Sequence, residues 1–458
     1  MTLPHFTRRR FLGGLGTALA AGMLPLPGWA QRAAATPSAS VDRIREPLSG
    51  WVPGMLDIHH IGTGRGNATL IVCPDGTAMM IDAGAIDGLD KYLIDELPNS
   101  SRRAGEWVGR YARRHLAQAG RHELDEFILT HFHRDHMGEC LPDTPLAPGG
   151  HYALTGVTDV AQLLPIRRYL DRGYPDYAFP QALDDPNQRN YRAFIQQERA
   201  RGAQVERFRA GAVDQLRLRR DAAAYPGFAI RNLVVNGEVW TGDGERTRAL
   251  FPPGAVPTEN QCSAALRLHY GAFTYYSGGD LSNSINYYDE DPWRDVETPV
   301  AQVTGAVDVA VANHHAYADA MGPACVRALR PRAFVILTND SAHPSVSPLE
   351  NMLSERLYPG PRDIYATAMK PENIVANKRI REMTSTNGHV VVRVAPGGAQ
   401  YRIVVTDNSD ESDTVLAVHG PYASGRHATE EPSPAGAGRR ASAAAMRHDS
   451  ARDAANRA

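Results

Sequence analysis

Three histidines and one aspartate lie within six consecutive positions of this 458-residue chain. The segment reads THFHRDHMGE, and its residues His131, His133, Asp135 and His136 directly follow a short apolar run. Imidazole and carboxylate groups are the ligands that zinc and neighbouring divalent metals prefer. Residues just past the end of a strand lie on a loop, where their side chains can converge on one point. The types and spacing of these residues therefore predict a metal centre.

The elements that must position these residues alternate between strands and helices. Helical spacing marks residues 105–118 and 187–201. Short apolar runs bounded by turn residues predict strands at 68–73, 78–81, 126–130, 264–268, 274–277, 307–312 and 333–337. This alternation in one long core favours an α/β layered domain. The polar, arginine-rich segment 141–223 interrupts the rhythm, and we interpret it as an insertion, a helical cap over one edge of the core.

The start of the chain has the composition of an export signal. Residues 1–30 combine a basic beginning, a short apolar stretch and small residues at the end, as secretory signals do. The pair Arg8-Arg9 followed by Phe11-Leu12 resembles the twin-arginine signal, which makes the twin-arginine export machinery a predicted partner. The apolar stretch is broken by Gly and Pro and is shorter than about 20 residues, so we expect no membrane span in the mature form. The predicted location is the periplasm or the exterior.

The remaining chain divides by composition. Residues 31–46 are interpreted as a linker, 47–419 as one folded domain, and 420–458 as a disordered tail rich in Ala, Arg, Ser and Gly. Four scattered cysteines with no CxxC pair argue against a disulfide framework. Without residues 1–30 the chain carries 46 basic and 51 acidic side chains, a net charge of −5. That charge gives no support to nucleic acid as a partner, although it does not exclude it.

The histidine-rich segment resembles the HxHxDH signature of the metallo-β-lactamase fold superfamily. Three further segments follow the order that this superfamily shows: MMIDAG with Asp82, YYSGGDL with Asp280, and DVAVANHH ending at His315. The resemblance spans roughly residues 55–343, which is most of the folded domain. It implies a four-layer αββα sandwich and a centre for two divalent metal ions. Zinc is the first expectation for those ions, with manganese or iron as alternatives.

The resemblance also implies roles for single residues. His131 and His133 would hold one ion, Asp135 and His136 would hold the second, and Asp280 would bridge both. Asp135 would also be the catalytic residue, because it would orient the attacking water.

The last metal ligand would come from the pair His314-His315. We favour His314, because it comes first after the strand and because successive side chains of an extended chain point to opposite sides. By the same resemblance, His315 would support the ligands or contact the substrate, as would Asp82, Asn260 and His343.

One departure from the superfamily concerns a missing ligand. Hydrolases of this fold place another histidine before the strand of Asp280, and the segment PTENQCSAALRLHYG has none at the expected place. Asn260, Glu259 or a water could fill that gap. The ENxxS pattern that ends at Ser263, the HH pair and the later SAHPS segment resemble the hydrolase domain of ComEC-type DNA-uptake proteins and its stand-alone relatives.

The predicted activity is metal-dependent hydrolysis by a hydroxide that bridges two metal ions. Phosphodiester substrates are favoured by the ComEC-like pattern and by residues 161–231, which hold thirteen arginines against eight acidic residues. Esters, lactones or amides are the alternative small-molecule substrates. An alternative of another class is a non-catalytic metal- or ligand-binding protein with a decayed site, which the missing histidine motivates.

Overall fold

The computed structural model describes residues 42–88, 90–182, 184–283 and 291–426. The predicted export signal, most of the predicted linker and most of the predicted tail lie outside these residues. Within the described residues, the strands form one sheet of nine strands and one sheet of eight. No helix in this part of the chain is both long and apolar enough to cross a membrane.

The first six strands form most of the nine-stranded sheet. They are β1 (Leu56–His60), β2 (Ala68–Val72), β3 (Ala78–Ala83), β4 (Glu126–Ile128), β5 (Arg168–Asp171) and β6 (Gln204–Arg207). Strands β1 to β3 pair antiparallel, whereas β3 to β6 pair parallel. Parallel strands need crossover connections, and these carry the helices. They are α1 (Ala104–Gln118), α2 (Arg134–Met137), α3 (Val157–Leu163) and α4 (Pro186–Ala200).

The segment 141–223 differs from the predicted cap, because it extends the sheet instead of covering it. It supplies β5 and β6, which continue the parallel pairing of β4. Tyr169 and Leu170 of β5 are completely buried, and Phe194 of α4 packs in the same layer as Tyr169. These strands are only four residues long and begin or end with charged residues. Neither strand therefore forms an apolar run that the sequence pattern could reveal.

The middle of the chain forms the eight-stranded sheet. Its strands are β7 (Phe228–Val235), β8 (Glu238–Trp240), β9 (Thr247–Ala249), β10 (Ala265–Tyr270), β11 (Phe273–Ser277), β12 (Val309–Val311), β13 (Ala333–Ile336) and β14 (Asp363–Ala366). Strands β11 to β14 are parallel to one another. The helices of this half are α5 (Glu297–Thr304), α6 (Pro323–Leu329), α7 (Val346–Leu353) and α8 (Pro371–Ala376).

The chain then returns to the first sheet. Strands β15 (His389–Val394), β16 (Gln400–Thr406) and β17 (Val415–Ala423) add to it beside β1. Strand β17 extends past residue 419, where the sequence predicts that the tail begins. The reason is Tyr422, which packs against Tyr401 and donates a hydrogen bond to Asp363.

Alternating side chains build the layers. In β2 and β3, Ile71 and Met79 point into the core between the two sheets, whereas Leu70 and Met80 point into the core beneath α1. Strands buried on both faces read as continuous apolar runs, which is why the sequence pattern found them. A third core joins the eight-stranded sheet to α5, α6 and α7. The result is a four-layer αββα sandwich, as predicted from the sequence.

Candidate metal centre

The candidate ligands lie on loops at the carboxyl ends of parallel strands in both sheets. The loop after β4 carries His131 to His136, Asp280 follows β11, and the pair His314-His315 follows β12. Loops at the carboxyl ends of neighbouring parallel strands meet at one edge of a sheet, which is where α/β proteins build their sites. In this protein, the carboxyl-end edge of one sheet lies next to that of the other.

Asp135, His136, Asp280 and His315 form one group of donors, which we name the four-donor position. The Asp135 Oδ2 atom lies 2.9 Å from Nε2 of His315, and the Asp280 Oδ1 atom lies 3.0 Å from Nε2 of His136. All ligand atoms of the group lie within 4.8 Å of one another. Tetrahedral ligands of zinc are separated by about 3.3–3.6 Å. These side chains therefore fit one divalent ion.

His131, His133 and Asp280 form a second group, which we name the three-donor position. The His131 Nε2 atom lies 3.1 Å from Nδ1 of His133 and 3.5 Å from Oδ2 of Asp280. Asp280 belongs to both groups, so its two carboxylate oxygens can serve two ions. The structure thus brings together the predicted ligands of the HxHxDH segment and the predicted bridging aspartate.

Buried polar atoms in the four-donor position make no hydrogen bond of normal geometry within the described residues. These atoms are Nε2 of His136, Nε2 of His315 and Oδ1 of Asp280. Buried polar groups are normally paired, because an unpaired one costs about 1–3 kcal/mol. Unsatisfied nitrogen and oxygen atoms that converge on one point have the chemistry of a metal ligand set.

The electrostatics of the centre favour a cation. Burial alone would lower the pKa of His136, but Asp280, Asp82 and Asp135 raise it well above its usual range. Burial likewise opposes protonation of His315, yet Asp280 and Asp135 raise its pKa to about 10. The carboxylates thus stabilise positive charge at this point, which a divalent ion can supply in place of the protons.

Asp82 contacts the imidazole of His136 on Nδ1, the ring nitrogen outside the four-donor position. Its Oδ2 atom lies 2.7 Å from Nδ1 of His136, and the same carboxylate accepts hydrogen bonds from the backbone and hydroxyl of Thr130. A hydrogen bond at Nδ1 fixes the tautomer and leaves Nε2 free to bind a metal. The structure therefore brings Asp82 into contact with His136, a candidate ligand, and its role at a metal centre stays a prediction.

The pair His314-His315 differs from the expectation that only one imidazole can face the site. Both residues have left-handed backbones, with φ of 46° and 53°, so the alternation of an extended chain does not apply. His315 joins the four-donor position, and its Nδ1 lies 2.8 Å from the carbonyl oxygen of Leu337. His314 also turns toward the centre, with Nε2 3.8 Å from Oδ2 of Asp280. The geometry therefore favours His315, and not the predicted His314, as the ligand in the four-donor position.

The strained histidine turn is held by a buried polar network. Asn313 donates to Glu297 at 3.0 Å and accepts from the hydroxyl of Tyr276 at 3.0 Å. Glu297 is fully buried and also accepts hydrogen bonds from the backbone amides of Met321 and Gly322. Left-handed backbone at residues other than glycine persists only where the surroundings determine it, and this network supplies that constraint.

The segment that lacks the expected histidine lies beside the three-donor position. Asn260 Nδ2 is 3.1 Å from Nε2 of His314. Glu259 does not approach the centre, because its Oε1 atom accepts hydrogen bonds from the backbone amide of Phe132 at 2.7 Å and from Arg172 at 2.6 Å. Glu259 therefore holds the backbone between His131 and His133, two candidate ligands, and belongs to neither donor group.

Sequence reasoning missed several residues of this centre. Asn339 donates a hydrogen bond to Oδ2 of Asp135 at 3.0 Å, and Asp319 Oδ1 lies 2.6 Å from Nδ1 of His314. Asn339 follows β13, a predicted strand, so the rule that sites form at carboxyl ends could have found it. Asp319 and Arg172 lie in irregular or arginine-rich segments, where no sequence signal distinguishes them.

His343 lies at the opening of the centre and outside both donor groups. Its ring stacks on that of His315 at 4.6 Å with an interplanar angle of 20°. Tyr317, which is 41% exposed, lies 5.9 Å from His343 and 5.3 Å from His314 between ring centroids. These rings form a surface that a substrate can contact next to the metal ligands.

Arginines of the segment 161–231 are engaged by acidic side chains away from the metal ligands. Arg168 and Arg219 pair with the buried Glu126, and Arg220 pairs with Asp125, at the amino end of β4. The HxHxDH loop follows the opposite, carboxyl end of that strand. Arg172 approaches the centre, but Glu259 neutralises it. These arginines therefore do not form a phosphate-binding surface at the metal centre.

Comparisons with known proteins found a distant structural likeness. No protein-family model matches the chain, and no curated protein sequence matches it. One similar solved structure is a point mutant of CmlA beta-hydroxylase, with 10% sequence identity and a TM-score of 0.35 over 75% of this chain. This chain spans about half, 54%, of the length of that structure.

Proposed function

We propose that this protein is a metal-dependent hydrolase with a binuclear centre. The observation that carries the proposal is the position of Asp280, which belongs to both donor groups. Zinc is the ion that the histidine-rich donor set fits best, and manganese and iron are the alternatives.

Two bound divalent ions would supply an activated water and would stabilise the negative charge that develops on the substrate. The protein would orient that chemistry through Asp135, whose side chain is 17% exposed, whereas that of Asp280 is 1% exposed. Asn339 fixes the Oδ2 atom of Asp135. The Asp135 carboxylate is therefore accessible from outside the centre and can direct a nucleophile, whereas the Asp280 carboxylate is enclosed.

Small phosphodiesters are the first substrate class that we propose. The support is the sequence resemblance to ComEC-type hydrolase domains; Arg168 and Arg219 of the segment 161–231 add none, because they pair with Glu126. The net negative charge speaks against long nucleic acids. Esters, lactones and amides are the second class, since the same centre would activate a water for attack on carbon.

A non-catalytic metal-binding protein is the second candidate function. The observation in its favour is that the three-donor position holds one ligand fewer than the four-donor position. An ion bound weakly there would leave a mononuclear protein without the second charge that hydrolysis needs.

Export by the twin-arginine route to the periplasm or beyond is also part of the proposal. It is supported by the residue pattern of the first thirty positions alone. Replacement of Arg8 and Arg9 by lysine should retain the protein in the cytoplasm, as measured by cell fractionation. Unchanged export of that variant would overturn this part of the proposal.

The activity is tested with metal-loaded protein on bis-p-nitrophenyl phosphate and on a p-nitrophenyl ester. We expect chelator-sensitive turnover, and we expect Asp135→Asn to lower it by about 100-fold, because the nucleophile is no longer oriented. Asp143→Asn, on an exposed loop, is the matched control and should leave turnover unchanged. Metal binding without turnover on either substrate would favour the non-catalytic candidate.

A further inference from the structure

The three-donor position needs another ligand, because a tetrahedral zinc site takes four. The superfamily histidine that would complete it is absent, and Asn260 stands in that segment. A nitrogen from elsewhere in the described chain lies at this gap. It is Nε2 of His314, 3.1 Å from Nδ2 of Asn260 and 3.8 Å from Oδ2 of Asp280.

We propose that His314 supplies the missing nitrogen of the three-donor position. The adjacent histidines would then divide between the two ions, with His314 on one and His315 on the other. This inference rests on the proposed function only in that it requires bound metal, and it does not require turnover.

The distances support this division. The Oδ2 atom of Asp280 lies 3.5 Å from Nε2 of His131 and 3.8 Å from Nε2 of His314. The first separation matches the edge of a zinc tetrahedron, about 3.3–3.6 Å, and the second is slightly longer, so His314 would have to move toward the three-donor position when an ion binds. The His314 side chain is 17% exposed, and that of His315 is 1% exposed, so His314 has room to adjust when an ion binds.

Asp319 prepares His314 as a ligand. Its Oδ1 atom lies 2.6 Å from Nδ1 of His314, which places the proton there and makes Nε2 the acceptor nitrogen; in this structure Nε2 accepts a hydrogen bond from Nδ2 of Asn260, which an ion would replace. The same arrangement holds the ligand His136 through Asp82 and the ligand His315 through the carbonyl of Leu337. Metal-binding histidines almost always carry such a partner on the other ring nitrogen.

The left-handed turn allows His314 and His315 to bind different ions. With an extended backbone, adjacent side chains would point to opposite sides, and one histidine would leave the site. The φ angles of 46° and 53° turn both rings toward the carboxylate of Asp280.

The test measures metal equivalents and cobalt absorption spectra in a series of variants of the whole protein. We expect wild type to bind two equivalents, and His315→Ala and His314→Ala to retain about one each. The double variant should retain none. The matched control is His269→Ala, an exposed histidine of β10 outside both donor groups, which should retain two.

A rescue variant separates ligation from mere structural support. Asn260→His in the His314→Ala background returns a histidine to the superfamily position, so we expect the second equivalent and the cobalt absorption to return. Asp319→Asn should weaken binding at one equivalent by about 10-fold to 100-fold. Two equivalents with an unchanged cobalt spectrum in His314→Ala would overturn the inference. A wild-type protein without metal would instead overturn the proposed function.

Discussion

The carboxylate of Glu259 accepts a hydrogen bond from the backbone amide of Phe132, at 2.7 Å, between the two histidines of the three-donor position. Arg172 pairs with the same carboxylate, and its side chain is only 1% exposed. The segment that lacks the histidine expected from the resemblance therefore contacts the loop of the candidate metal centre. This contact holds the loop that carries the candidate ligands.

Glu259→Ala should therefore reduce both stability and metal affinity. Removing one partner of a buried ion pair leaves the other charge uncompensated, and we expect the free energy of unfolding to fall by about 3–5 kcal/mol. Urea denaturation measures this change. Glu411→Ala is the matched control, because Glu411 pairs with Arg110 and Arg114 at the surface. It should cost about 1 kcal/mol or less. Equal losses in the two variants would contradict the positioning role of Glu259.

Asp82→Asn tests the support of His136. An amide in place of the carboxylate no longer fixes the tautomer of the imidazole, so metal affinity should fall by about 10-fold to 100-fold. Competition with a coloured chelator measures the affinity. Asp171→Asn provides the control, because that aspartate is also fully buried and hydrogen-bonded but belongs to neither donor group. An Asp82→Asn variant with wild-type affinity would show that the hydrogen bond to His136 has no influence on the metal.

Part of the scaffold could be predicted from the sequence. Every strand that apolar runs predicted is present within two residues at each end, because strands buried on both faces leave continuous apolar segments. Ten of the seventeen described strands were not predicted. One of them is β5, which is short and begins with an arginine that pairs with Glu126.

The candidate centre was predictable only where its residues are close in sequence. The spacing of the HxHxDH segment shows that four ligands share one loop. The contribution of His315 and His314 depends on a left-handed backbone, which neither residue type predicts. Contacts such as that of Asn339 with Asp135 join positions 204 residues apart, and only the fold reveals them.

Ala316 continues the left-handed turn with φ of 57°, which a residue with a Cβ atom adopts at a cost of about 1–2 kcal/mol. Ala316→Gly removes that cost while losing one buried methyl group, so the free energy of unfolding should change little. Ala310→Gly in β12, also completely buried, loses the methyl group without that compensation. We expect it to be less stable than Ala316→Gly by about 1 kcal/mol or more, as measured by urea denaturation. The opposite order would contradict the strain at Ala316.

The stability that three buried, neutral histidines contribute should be lost in mild acid. Burial lowers the pKa of His60 to about 4 and that of His389 to about 3, and it holds the pKa of His59 well below its usual range. These groups are neutral in the folded state, whereas the unfolded chain binds protons near pH 6.5. The stability that these three histidines contribute is therefore complete above pH 6.5. It decreases as the pH falls toward their pKa values in the folded state.

Thermal unfolding of metal-free protein between pH 7.5 and 4.5 measures this dependence. Glu126 and Glu297 act in the opposite direction, because burial raises the pKa of each to about 7. The measurement is therefore the difference between wild type and His60→Gln. Each pKa unit corresponds to about 1.4 kcal/mol, so the wild type should lose about 2–3 kcal/mol more than the variant as the pH falls. Equal pH dependence in the two proteins would contradict the neutral burial of His60.

The most direct test of a binuclear centre is elemental analysis of purified protein beside its His133→Ala variant. We predict about two equivalents of zinc, manganese or iron in the wild type and a clear loss in His133→Ala. The exposed His122→Ala control should keep the wild-type content. No metal in the reconstituted wild type, or the same content in His133→Ala, would contradict the assignment of these residues as metal ligands.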